Sequence, residues 1–151
     1  MSLLLDFYAG EPTAIGSAFS DDPDSLPSGV QHVDFSLHLS PIDLDLLTQE
    51  IQKVVGSGPT SLTESLDSQV GGDGSESSAD VVSAAWVQMV AALPEDNVED
   101  VLSVWAQAVA KEHGEPAFDV TDDLRGAVKG LVHLCAGANS SGQSIVHTWS
   151  M

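Results

Sequence analysis

The stretch Thr121–Met151 reads TDDLRGAVKGLVHLCAGANSSGQSIVHTWSM, and it pairs a helix with a strand. Thr121 is placed as an N-cap, and Asp122 and Asp123 suit the positive end of a helix dipole. Leu124, Val128, Leu131 and Cys135 recur at spacings of four, three and four, so they share one helical face. Ala136-Gly137 predicts the stop of this helix and Ser140-Ser141-Gly142 a turn. Ser144–Ser150 then alternates Ile145, His147 and Trp149 against Val146, Thr148 and Ser150, which is strand chemistry. A chain whose described end is such a strand ties that end into a sheet, and the rest of the chain must supply its partners.

Two upstream segments qualify. Ser2–Tyr8 sets Leu3, Leu5 and Phe7 against Leu4, Asp6 and Tyr8. Gln31–Leu39 sets Val33, Phe35, Leu37 and Leu39 against His32, Asp34, Ser36 and His38, one side core and the other wet. Between them, Glu11–Phe19 predicts a short helix with Pro12 in its first turn, and Ser20–Gly29 a loop rich in proline and aspartate. Ser40, Pro41 and Asp43 are start signals for a helix striped by Leu44, Leu47, Ile51 and Val54. Gly56–Ser78 is dominated by serine, glycine and threonine and reads as an internal flexible loop. Helices are predicted over Ala79–Leu93 and Asn97–His113, joined by a short Pro-Glu-Asp turn. The expected fold is a single acidic α+β domain spanning 1–151. It has a small antiparallel or mixed sheet of about three strands, with four to five helices packed mainly on one face.

Hydrophobic residues make up 42% of the chain, which places it with globular rather than disordered sequences. Charge is the outlying property: 23 acidic side chains face Lys53, Lys111, Arg125 and Lys129, a net −19. Such a surface repels nucleic acid and anionic membrane and attracts basic protein at long range. No stretch is long and apolar enough for a membrane span. The N-terminal MSLLLDFYAGEP lacks a basic region and is not read as a signal peptide, so a cytoplasmic protein is expected. Cys135 is the single cysteine and sits on an apolar stripe, as core filler does.

Motifs for chemistry are missing. Gly71-Gly72-Asp73-Gly74 has no following Gly-Lys-Ser/Thr, and no GxSxG, HExxH or EF-hand pattern occurs. Asp21-Asp22-Pro23-Asp24 would chelate a cation only weakly, so no metal and no cofactor is expected. One acid–base constellation can be built, from His32 or His38, Asp34 and His147, if their strands pair. Polar side chains on the wet face of a sheet account for the same residues. Trp86 and Trp105 lie on apolar helix stripes and read as core.

The functional expectation is therefore a small non-enzymatic binding protein for a basic protein partner, of the inhibitor, immunity-protein or mimic type. Its binding residues are expected in three acidic groups: Asp21, Asp22 and Asp24; Asp43 and Asp45; Glu95, Asp96, Glu99 and Asp100. Trp149 is added as a terminal-strand aromatic suited to an interface. Two alternatives stand beside this reading. One is acidity that serves only solubility; the other is a hydrolase-like enzyme using the histidines and aspartate of the sheet.

Overall fold

The computed structural model describes residues 3–22, 30–36 and 39–151. Among them the chain forms an α+β fold with five α-helices and a five-stranded antiparallel sheet, in the order β2-β1-β5-β4-β3. The strands are β1 (Leu4–Gly10), β2 (Gln31–Asp34), β3 (Leu66–Gly71), β4 (Ser77–Val82) and β5 (Ser144–Ser150). The helices are α1 (Pro12–Asp21), α2 (Pro41–Val55), α3 (Ala84–Ala91), α4 (Val98–His113) and α5 (Asp122–Ser141).

The C-terminal strand is the middle of the sheet. β5 pairs with β1 from Leu4↔Ser150 to Gly10↔Ser144, and with β4 on its other side. Its alternation is buried on both faces, because helices lie above and below. Ile145 joins Leu5, Phe7, Phe35, Trp86, Trp105 and the stripes of α2 to α5 in the main core. Val146 on the opposite face joins Tyr8, Ala79 and the α1 residues Ile15 and Phe19. Phe7 meets Phe35 edge-on at 5.5 Å and stacks on Trp86 at 5.7 Å. Both core indoles are satisfied: Trp86 Nε1 donates to Thr48 Oγ1 and Trp105 Nε1 to the Asp43 carbonyl.

Three expectations need correction. The sheet has five strands rather than about three, because β3 and the start of β4 lie in the stretch read as the flexible loop 56–78. β3 escapes an alternation test because two bulges interrupt its register with β4 and its exposed positions are Asp67, Ser68 and Gln69. The helix expected from Ala79 starts after Ser83, whose side chain accepts the Trp86 N–H as an N-cap. Val82 fits the helical spacing but belongs to β4. Finally, α5 runs through Gly137 and ends at Gly142, whose φ of 73° is the left-handed cap a glycine provides.

A long return positions the helix ends. Arg125, in the first turn of α5, reaches Glu99 in the first turn of α4, so residues 114–121 run back along α4. Phe118 in that return packs toward Trp105, with ring centroids 6.3 Å apart. The N-termini of α4 and α5 therefore lie side by side at one end of the molecule.

Candidate acidic interface

Antiparallel register brings Asp6 opposite both Asp34 and Thr148, and Tyr8 opposite His32. Directly opposed residues project to the same face of a sheet, so these five form one polar patch. It lies on the α1 side: α1 packs mainly over β3, β4 and β5, Tyr8 is buried against Ile15 and Phe19, and Asp34 is the exposed member of the patch. His32 Nε2 lies 3.0 Å from Asp6 Oδ1, with side-chain exposures of 25% and 18%. Burial raises the Asp6 carboxyl above the usual range, and the neighbouring Asp34 charge adds to the shift; His32 pulls in the opposite direction. The Tyr8 phenol, hydrogen-bonded to Thr148 and stacked with His32 at 5.3 Å, is pushed up to about 12, chiefly by burial and then by Asp6.

Around the rim of this patch the acidic surface continues onto the helices. Asp34 and Asp123, the latter in the first turn of α5, line one groove between β2 and α5. Next to Asp123, Asp122 accepts from Arg125 Nη1 at 2.8 Å, and Arg125 Nε donates to Glu99 at 2.6 Å. Lys129 also approaches Glu99, at 3.9 Å. One turn upstream, Glu95 and Asp96 sit in a short 3-10 turn that leads into α4, and Asp100 follows Glu99. Glu95, Asp96, Asp100 and Asp123 are exposed and form no ion pair among the described residues. The first turns of α4 and α5 thus bring Glu99, Asp100, Asp122 and Asp123 to one end of the molecule, with Arg125 as the clasp between the two helices. Asp34 lines the groove beside Asp123, but its side chain projects to the other face of the sheet, where Oδ1 accepts the Ser36 N–H at 2.7 Å.

The other residues singled out in the sequence have different fates. Asp21 ends α1 and Asp22 caps it, both exposed, whereas Asp24 and His38 fall outside the described residues. Asp43 is no surface carboxylate. It is 1% exposed, completes a capping box with Ser40, and lies 2.9 Å from His113 Nε2, which raises the imidazole pKa. Asp45 is half-buried and spends its oxygens on Ser61 and Thr63. Trp149 is half-buried against the main core, opposite Leu5 of β1.

His147 does not join His32 and Asp34. It projects to the helix-covered face, stacks on Phe7 at 4.5 Å and lies within hydrogen-bond distance of the Asp6 carbonyl through Nδ1. Burial there lowers its pKa to about 4. The pairing that the sequence reading missed is Asp6 with His32. Its signal was the two-residue offset of polar positions on two strands that then proved to be neighbours.

No group of three or more metal-ligating side chains converges among the described residues. A second groove of about 640 Å³ lies between α4 and the 114–120 return, floored by Leu102, Ala106 and Phe118. Glu99 lies with Arg125 on its lining, and Glu115 with Lys111, so it carries balanced charge. Comparison with protein-family models, curated protein sequences and solved structures returned no match.

Proposed function

We propose that the chain is a non-enzymatic binding protein that captures a basic protein partner through the acidic end formed by β2 and the first turns of α4 and α5. The supporting observation is that exposed acidic residues of the first turns of α4 and α5 lie side by side, and that Asp34 of β2 lines the same groove as Asp123. Helix dipoles favour acids at the starts of α4 and α5 one by one. They do not account for Asp34, which stands on a strand. A field concentrated at one end steers a basic partner and accelerates its encounter, and salt screens that effect within a Debye length of ~8 Å at physiological ionic strength.

Association with a folded basic probe, egg-white lysozyme, at low and high salt tests the reading. Neutralising Glu95, Asp96 and Asp100 to Gln or Asn is expected to slow association about tenfold at low salt. Neutralising the same number of carboxylates at Glu64, Asp67 and Glu76 should change it far less. Equal effects from the two sets would contradict a one-sided recognition surface.

A second reading, acid–base catalysis by the sheet, draws on the raised Asp6 carboxyl beside His32. It requires an activity that His32→Ala abolishes without loss of stability; retention of that activity would dismiss it.

A further inference from the structure

β2 is the terminal strand of the sheet, and among the described residues nothing pairs on its outer side. Phe35 N donates inward to the Leu5 carbonyl at 2.7 Å. Antiparallel pairing alternates, so Val33 and Gln31 share that inward orientation, and the main-chain N–H and C=O of His32 and Asp34 point away from β1. The outward backbone groups therefore belong to the two residues whose side chains carry the polar patch.

Beside this edge lies the groove between β2 and α5, about 510 Å³ in volume. Val33 and Asp34 form one wall and Asp123, Gly126 and Gly130 belong to the other. Glycine keeps it open. A Cβ at Gly126 would stand in free space, and one at Gly130 would meet Val33 at 3.3 Å. Gly130 thus lets α5 approach Val33 closely, and Gly126 leaves the rim of the groove bare.

Resting on the proposed capture of a basic partner, we propose that the β2 edge takes an extended lysine- or arginine-bearing segment of that partner as an added strand. Such a segment would exchange backbone hydrogen bonds with His32 and Asp34, the mode of β-strand addition. Side chains along it would alternate between the two sheet faces. Those on the patch side would be basic and meet Asp34, and the negative charge of Asp123 on the groove adds to that attraction at longer range. Those on the helix side would be small and apolar and enter the groove beside Val33. Charge decides the occupant. A second copy of this chain would set Asp34 against another acidic edge, and like charges in register repel. A basic strand reverses that sign.

The experiment uses the full chain and a capped peptide of alternating lysine and valine, read by fluorescence anisotropy and by backbone amide shifts. The comparison peptides are the same sequence N-methylated at alternate amides and an alternating glutamate–valine peptide. Binding of the lysine peptide is expected, with the largest amide shifts at His32 and Asp34. Methylation of the bonding edge and the double variant Asp34→Asn, Asp123→Asn should each weaken it about tenfold. No binding, equal binding of the methylated or glutamate peptides, or no effect of the double variant would overturn the proposal. So would a dimer of the free protein in sedimentation whose concentration-dependent amide shifts centre on His32 and Asp34, which would assign the edge to a second copy. The lysozyme measurement separates the two levels. If its dependence on Glu95, Asp96 and Asp100 persists while the peptide fails, only the added strand falls. If the peptide binds while that dependence is missing, only the wider surface falls.

Discussion

At the β3 edge of the sheet two bulges break the register with β4 and α1 lies directly against the strand, whereas at the β2 edge four regular residues end the sheet beside a groove. The β3 side is finished by contact. Gly16 of α1 sits so close to Val70 that any Cβ there would overlap the Val70 carbonyl, and Gly71 is pressed against Gly16 in the same way. The hairpin beyond is clamped by Asp73, which accepts the N–H groups of Ser75, Glu76 and Ser77. Bulges and covering elements are the usual protection of a sheet edge. The β2 side shows no such cover among the described residues: it is a four-residue strand that carries Asp34.

The close approach at Gly16 offers the sharpest way to break this contrast. Gly16→Ala should push α1 off β3 and cost about 1–3 kcal/mol in chemical denaturation. An unchanged midpoint would mean that the β3 edge is not closed by α1.

The histidines repeat the contrast between covered and open. His147 is 3% exposed and its pKa lies near 4 against an ordinary 6.5, so the unfolded chain takes up its proton first. Stability should therefore fall as the pH drops from 6.5 toward about 4, by up to about 1.4 kcal/mol per pH unit. Asp6 works against this: its raised carboxyl favours the folded state at low pH and loses that contribution as pH rises through its folded value. His113, raised by Asp43, is stabilising below 6.5 and loses its contribution as pH rises through its folded value, a separate window. Replacing His147 with Phe should flatten the acid limb of the stability curve. Identical curves for His147→Phe and the parent would show that the buried imidazole does not govern acid sensitivity.

The smallest effect is expected at the open edge. Gly126→Ala places a methyl in free space on a helix and should stabilise by about 0.5–1 kcal/mol. Destabilisation there would mean that the α5 face beside β2 is more tightly packed than the groove indicates.

Much of the fold was legible where one residue pattern meant one thing. The strand expected over Ser2–Tyr8 appears as Leu4–Gly10, and that over Ser144–Ser150 is kept. The stripes of α4 and α5 and the Leu44, Leu47 and Ile51 part of α2 are buried, with Val54 exposed and Ser40 and Thr121 as caps. The β3–β4 hairpin was hidden because register shifts break the alternation of β3, Gly71 and Gly16 of α1 pack backbone to backbone without a side chain to signal it, and Val82 fits the helical spacing of the segment that follows. Its serines and glycines looked like a linker. For the acidic residues, sequence density located the Glu95–Asp100 group but could not distinguish Asp43, which is buried as a cap, from Asp100, which is exposed. The meeting of Asp34 with Asp123 is a product of tertiary structure, since they are joined only through the packing of α5 on β2.

The most direct test of the account is to map, by backbone amide shifts, where a lysine-rich protein first contacts this one at low salt. Recognition by the acidic end predicts perturbations confined to 32–34, 95–100 and 122–126, shrinking together as salt is added. Perturbations spread evenly over the surface, or centred on the β3–β4 hairpin with Asp67, Asp73 and Glu76, would contradict it.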